Sequence, residues 1–346
     1  MASASQMKDP LLVGKAIRAQ LEHEIPRDLP LEKDFGELEG YTITDHVQEL
    51  HNTLSVNPRT TFIFNNLVKH LHAFARETML THDEWLTAIK ALTRAGKEST
   101  EHVNEFILLS DCLGLSVLLD ELNHPKPKGC TAGCEEGPFL TKDAPELPSG
   151  STISHPDTKG EKMYFSATIK NTKGEGIPGA KVEVWQANGE GVYDVQYDVR
   201  EFPDDRARIV AEPDGSFNYR AVLPTAYPIP NAGVTGDFLS SLGRHAHRAS
   251  HIHFLLTAPG YDTLTSALYP SHSPFLGTDP VFATKKSLIC NLKQDTDPIS
   301  WKKLGFKEGE VGNGRVWLWH YDFVLPTLEE VAEIRRGFEQ KNLQKN

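Results

Sequence analysis

Two histidines one residue apart, His251 and His253, head the run Ile252-His253-Phe254-Leu255-Leu256-Thr257, which Ala258-Pro259-Gly260 closes. The pattern predicts a strand of about seven residues ending in a turn. Side chains alternate along a strand, so both imidazoles face one way and Ile252 and Phe254 face the other. Two imidazoles so placed can reach one metal ion, although an H-x-H pair is weak evidence in a chain with 15 histidines. Upstream, Leu223-Pro224-Thr225-Ala226-Tyr227-Pro228-Ile229-Pro230 holds Tyr227 in a stiff, extended segment between prolines. Further back, Tyr193 stands in Asn188-Gly189-Glu190-Gly191-Val192-Tyr193-Asp194-Val195-Gln196.

Tyr193, Tyr227, His251 and His253 resemble, in order and spacing, the iron ligands of the intradiol ring-cleaving dioxygenases. Gly243-Arg244-His245 and Ser250-His251-Ile252-His253-Phe254 are similar to that family as well, and the resemblance spans about residues 44–326. The likeness is greatest to fungal hydroxyquinol and catechol 1,2-dioxygenases, which share Tyr-Asp-Val-Gln (193–196) and Tyr-Pro-Ile-Pro (227–230). The resemblance implies a single Fe(3+) held by Tyr193, Tyr227, His251 and His253. It implies that a catechol-type diol binds through both oxygens and displaces Tyr227, whose freed phenolate takes a substrate proton as an internal base. It implies that one oxygen atom of O2 is inserted between the two hydroxylated carbons to form an anhydride, whose hydrolysis gives a muconate-type diacid. Arg248 is implied as a catalytic residue that stabilises negative charge on the ring carbon under attack. It stands three residues before His251, so strict alternation sends it to the opposite face, and an irregular start to the strand is expected. The substrate-binding candidates carried over are Val117, Asp120, Gly137, Pro138, Ile229, Pro230, Arg248, Val281 and Phe282.

The implied donor set suits iron(III), because two hard, charged phenolates favour the ferric state. A free phenol has a pKa of about 10, so only a strongly acidic metal makes its deprotonation favourable near neutral pH. Zinc sites more often use Cys, His or carboxylate. The iron(II) facial triad needs a carboxylate beside two His, for which Asp194 or Asp262 could be offered, but neither matches a ligand position in the resemblance.

Four other features bear on the site. His245 and His247 form a second H-x-H and are read as non-ligands. Cys130 and Cys134 have no second Cys or His pair close by and are read as free thiols. Glu135-Glu136 precede Gly137-Pro138-Phe139 where relatives usually carry apolar residues; an inward carboxylate could bond an extra hydroxyl or pair with Arg248 or a lysine. Ala267 stands where catechol-cleaving bacterial relatives carry a glutamine. Both departures bear on the substrate and leave the reaction type alone.

The elements that must position these residues divide by period. Over 44–124 the apolar residues recur at helical spacing: Phe62, Leu67, Leu71 and Phe74, then Trp85, Ile89 and Leu92 after a capping box at Thr81-His82-Asp83-Glu84, with Gly96 as the stop. They read mainly as a helical core. Their excess of Leu and Phe also suits a subunit interface, and family members similar to this chain dimerise through such a domain and bind lipid between its helices. Residues 125–150 are Pro- and Gly-rich, a linker and pocket-wall loop. From Met163 the period is two, with strands over 164–169, 180–185, 217–222, 251–257 and 315–321. The fold class is therefore α+β, with an N-terminal helical dimerisation domain (44–124) and an antiparallel β-sandwich catalytic domain (151–326). Residues 1–43 form an extension with a short helix over 11–23, and 327–346 an amphipathic helix carrying Val331, Ile334 and Phe338.

Composition narrows the partners. The net charge, 36 basic minus 47 acidic residues or −11, argues against nucleic acid. No apolar run reaches about 18 residues, so no membrane span is expected. Met1 to Pro10 lacks a signal core, and four Cys in 346 residues make no disulfide scaffold, which gives a cytoplasmic expectation. Intradiol cleavage of hydroxyquinol or catechol is the first reading. Protocatechuate is the alternative substrate, with Lys126 or Lys128 to meet a ring carboxylate. Two other classes remain open, a non-catalytic β-sandwich binding module and a zinc hydrolase at His251 and His253.

Overall fold

The computed structural model describes residues 29–343 apart from Val56, Glu101, His102 and Glu308, and side chains as far as residue 337. The helix expected over 11–23 and the side chain of Phe338 lie outside the described residues. Contacts divide the chain into two compact units, 1–90 and 91–346.

In the first unit α1 (Ile43–Leu54) starts at a Thr42–Asp45 capping box and α2 (Pro58–Glu77) at the side chain of Asn57. The two are joined by polar contacts, among them Thr44 to His72 at 2.9 Å and His51 to Asn65 at 3.0 Å. α3 (His82–Glu98) opens at the Thr81–Glu84 box, and the division between the units falls within it. It runs two residues past Gly96 rather than stopping there. A Cβ at Gly96 would make only ordinary contact with the Phe106 ring, at 3.7 Å, so the packing does not require glycine there. Phe62, Leu67, Leu71, Phe74, Trp85, Ile89 and Leu92 are each about half exposed, so they do not form the closed helical core expected of them.

The second unit adds α4 (Glu105–Cys112) and α5 (Leu115–Asn123), then a loop segment without helix or extended strand up to β1 (Lys162–Asn171). The strands that follow are β2 (Lys181–Gln186), β3 (Arg206–Val210), β4 (Ser216–Val222) and β5 (Tyr227–Pro228). After α6 (Val234–Ser241) come β6 (His247–Arg248), β7 (Ile252–Thr257), β8 (Leu264–Pro270), β9 (Ile289–Cys290) and β10 (Lys293–Asp295). α7 (Pro298–Lys303), β11 (Val316–Leu325) and α8 (Leu328–Leu343) complete the chain, α8 starting at a Thr327–Glu330 box. The two larger sheets have the orders β10-β11-β1-β4 and β3-β2-β7-β8-β9, and β5 and β6 pair as a two-stranded third. Most pairs are antiparallel, but β1 with β11 and β8 with β9 are parallel. Parallel neighbours cannot be joined by a hairpin, and here long excursions separate them in sequence.

The core lies between the sheets. Met163, Phe165, Ala167 and Ile169 point inward from alternate positions of β1 and meet Phe254 of β7 and Trp319 of β11. Phe165 is 5.1 Å from Phe254 and 6.1 Å from Trp319, ring centre to ring centre. Fully burying each such ring is worth about 1.5–3 kcal/mol. The same alternation sets the site: Ile252, Phe254 and Leu256 enter this core, so His253 must project from the other face of the five-stranded sheet. Among the described residues no helix is long and apolar enough to cross a membrane.

Candidate active site

β2 lies beside β7 with Trp185 opposite His253. Their rings stack at 5.0 Å with planes 1° apart, which fixes the plane of the His253 imidazole. His251 lies one residue before the regular strand. Residues 249–251 are irregular, held by Ser250, whose hydroxyl donates to Pro224 O at 2.6 Å and whose amide donates to Ser273 Oγ at 2.8 Å. β6 ends just before this break and pairs with β5 so that Arg248 faces Tyr227. A regular strand through 248–251 would have turned Arg248 away, and the break brings it back.

Tyr193 is presented by a short 3-10 turn, Asp194–Gln196, its amide donating to Gln196 Oε1 at 2.9 Å. Gly191, at φ +79°, lets this loop close on the Tyr227 segment: a Cβ there would lie 3.0 Å from Ala226 O and from Tyr227 Cβ. Phe139 covers the outer face of Tyr193, ring centres 4.4 Å apart. Gly137, at φ +72°, lies against His253, where a Cβ would stand 3.6 Å from Nε2.

The four side chains converge. The hydroxyls of Tyr193 and Tyr227 are 3.4 Å apart, and each is 3.4 Å from His251 Nε2. His251 Nε2 is 3.1 Å from His253 Nε2, and a guanidinium nitrogen of Arg248 is 3.3 Å from His251 Nε2. All five residues are buried, Tyr227 and Arg248 being the most exposed at 7% and 8%. His251 Nδ1 donates to Ala249 O at 2.7 Å, so its Nε2 presents a lone pair to the centre. Burial, helped by Arg248 and His253, holds His251 well below the usual 6.5; burial and Arg248 hold His253 at about 3. Both imidazoles are therefore neutral donors near pH 7. Burial, with Tyr227 beside it, pushes the Tyr193 phenol well above 10.

These residues fit a metal ion. The 3.4 Å separations are long for hydrogen bonds, and two imidazole nitrogens face each other at 3.1 Å. Two donors about 2.1 Å from a shared ion and about 100° apart would stand about 3.2 Å from one another. Among the described residues no three His, Cys, Asp or Glu gather to hold a metal, so any ion here depends on the phenols. The two carboxylates available for an iron(II) triad are committed elsewhere. Asp194 is gripped by Arg206 and Arg200, and Asp262 by Lys126 at 2.9 Å.

The wall candidates do not gather in one place. Ile229 and Val281 are buried with Cys112, Leu239 and Ala246. Phe282 is half exposed, at φ +58°, with the Arg244 guanidinium 4.4 Å above its ring. Gly137 and Pro138 are on the exposed loop beside His253, Pro230 is exposed, Val117 is half-buried on α5, and Asp120 on the same helix pairs with His124 at 2.8 Å. A cavity of about 370 Å³ is lined by Arg244, His245, Thr278, Asp279 and Phe282. His245 donates to or accepts from Thr278 at 2.8 Å and, with His247, packs on Phe275. All four cysteines, Cys130 and Cys134 included, are free.

Sequence reasoning missed several supports. Asp279 pairs with Arg248 at 3.5 Å while its other oxygen takes the amides of Ala283 and Thr284. Arg206, 1% exposed, clamps Asp194 and also donates to Phe139 O and Thr141 Oγ1, both at 2.9 Å, tying the loop over Tyr193 to the loop that carries it. Trp185 was legible only as a strand residue, because its role depends on the register with β7.

Residues 57–131 match the family model described as catechol dioxygenase N terminus, and residues 135–326 match the model described as dioxygenase. An intradiol ring-cleavage dioxygenase of Aspergillus niger is 40% identical over 303 residues, 88% of this chain and 89% of the relative. A hydroxyquinol 1,2-dioxygenase of Rhizobium sp. is 39% identical over 271 residues, 78% and 90% of the two chains. Among solved structures, the hydroxyquinol 1,2-dioxygenase of Pseudomonas putida DLL-E4 superposes with a TM-score of 0.75 at 33% identity, covering 82% of this chain and 97% of that one.

Proposed function

The chain belongs to the intradiol ring-cleaving dioxygenases, of the hydroxyquinol/catechol 1,2-dioxygenase type, and from this premise we propose that Tyr193, Tyr227, His251 and His253 hold one iron(III) ion and that hydroxyquinol is the preferred substrate. The observation that carries the ligand assignment is the convergence of two phenol oxygens and two imidazole nitrogens within 3.1–3.4 Å in a buried space with no carboxylate among them. Bound there, iron(III) supplies Lewis acidity and an electron acceptor that makes the diol's ring reactive toward O2.

The remaining work falls to the chain's own groups. As phenolates, Tyr193 and Tyr227 would offset most of the ion's charge in this buried site. Tyr227 lies next to Arg248 and is the proposed mobile ligand. Leaving its place, its phenolate oxygen takes one hydroxyl proton from the diol. The flanking Pro224 and Pro228 hold the backbone while the side chain swings. Tyr193, stacked under Phe139 and anchored at Asp194, stays in place. Arg248, always charged and held by Asp279, faces the centre and stabilises negative charge developing on the ring.

Two observations favour hydroxyquinol over protocatechuate. The relatives quoted above whose substrates are named act on hydroxyquinol. Lys126, offered for a ring carboxylate, is ion-paired with Asp262, both largely buried. The half-exposed apolar residues of α2 and α3 support a second copy of this chain as the partner that covers them, with a lipid chain between the helices as a further expectation that solvent extraction and mass spectrometry would test. Four free thiols support a reducing, cytoplasmic compartment.

The test gives purified, iron-loaded protein hydroxyquinol, catechol and protocatechuate in turn under air, following O2 uptake and product mass. A ring-opened diacid, formed fastest from hydroxyquinol, is expected. O2 uptake with none of the three sinks the proposal.

A further inference from the structure

The loop beside His253 carries an acid that the chemistry above does not use. Cys134 N donates to Thr265 O at 3.0 Å, tying the start of the loop to β8, and Gly137 rests on the His253 ring. Glu135 sits between these two anchors. It is half-buried, and its Oε1 is closed off from solvent and has no hydrogen-bond partner. A buried acceptor left unpaired is destabilising, and a ligand's donor would remove that cost. Asp111 of α4, whose carboxylate is bonded by Ser116, and Arg248 both act on Glu135 through their charges. Burial and then Asp111 push Glu135 up to about 7 against the pull of Arg248. The next acid along, Asp120, is paired with His124.

We infer that Glu135 is a specificity-determining residue whose unpaired Oε1 accepts a hydrogen bond from a third hydroxyl on the ring of the aromatic diol. The inference rests on the reading of residues 193, 227, 251 and 253 as the ring-cleaving site. A plain catechol, or one with a methyl or chloro substituent, leaves Oε1 unpaired. A ring carboxylate would face Glu135 and Asp111 together. Polar recognition of this kind discriminates more sharply than an apolar pocket does, because the analogue lacking the donor leaves a buried group unsatisfied.

The test compares kcat/KM for 1,2,4-trihydroxybenzene and for catechol in iron-loaded wild type, Glu135→Val and Glu135→Ala. Iron content and the visible spectrum are measured alongside, so that a variant that misfolds or loses the metal is recognised and the other is used. The expected result is a fall of roughly 10- to 100-fold in the trihydroxybenzene-to-catechol ratio, with catechol turnover retained. A ratio unchanged within about threefold in either iron-replete variant overturns the inference and leaves the ring-cleaving reading standing. If wild type prefers catechol yet the ratio still falls in the variants, Glu135 keeps its role and hydroxyquinol is rejected as the preferred substrate. If wild type opens neither ring, the ring-cleaving reading is overturned and this inference with it.

Discussion

Arg206→Met tests whether the loops around Tyr193 are held by one buried ion pair. Arg206 is 1% exposed and Asp194 is likewise buried. The guanidinium makes a two-pronged contact with the carboxylate, with Nε at 2.8 Å from Oδ2, and its third nitrogen reaches Phe139 O and Thr141 Oγ1. Removing one partner of a buried pair costs about 3–5 kcal/mol, because the other charge stays behind. Here Asp194 keeps Arg200, at 2.7 and 3.0 Å, and the amides of Val195 and Asp204, which recovers part of that cost. Arg200 is about a quarter exposed, so its share is modest, of the order of 1 kcal/mol. The net expectation is about 3 kcal/mol, or a fall in melting temperature of roughly 6–12 °C. Two loops also come loose around Tyr193, since Phe139 stacks on it and Asp194 follows it. The iron-loaded variant should therefore show a shifted visible band, read by absorption, together with its lower melting temperature by calorimetry. A melting temperature within about 2 °C of wild type, with the band unmoved, would refute the clamp.

Other expectations follow from the same geometry. His251→Ala or His253→Ala should each remove most of the bound iron and the visible colour, measured by metal analysis and absorption; full occupancy with unchanged colour rejects the assignment. Tyr227→Phe should lower turnover by roughly 100- to 10,000-fold, the usual loss for a positioned base, and normal turnover with a wild-type spectrum would show Tyr227 to be a packed tyrosine only. Metal-free protein should lose stability on acidification. Burial holds His253 at about 3 in the fold against 6.5 when unfolded, so its contribution is complete above 6.5 and drains as pH falls from 6.5 to about 3, with His251 acting in the same direction. Urea unfolding at several pH values checks this, and a flat profile below pH 6 would contradict it. Light scattering should give about twice the chain mass; a monomer at micromolar concentration would leave the half-exposed faces of α2 and α3 without the proposed second copy.

The period-two stretches were legible because the core takes every second residue of β1 and β7. The sandwich could be inferred from them, but the parallel pairings could not, since a strand's own pattern does not say which neighbour it meets or in which direction. β3 and β8 escaped the reading: Arg206-Ala207-Arg208-Ile209-Val210 carries two arginines, and β8 is buried nearly throughout and so lacks alternation. α3 was legible from its capping box and α2 from its apolar spacing, yet the exposure of their apolar faces was not, because amphipathic spacing is the same whether a face meets its own chain or another. Within the site, spacing singled out the two histidines and proline the stiff Tyr227 segment. Arg248 ran against alternation, and the irregular residues 249–251 are the physical reason. Trp185, Asp279 and Arg206 act through register and long-range pairing, which leave no local mark.

The most direct test of the central claim is resonance Raman spectroscopy of the iron-loaded protein, excited in its visible absorption band, for wild type, Tyr193→Phe and Tyr227→Phe. The account expects a red-brown protein with tyrosinate vibrations from two ligands, each substitution removing one set. A colourless iron-loaded protein, or tyrosinate bands that survive both substitutions unchanged, would contradict it.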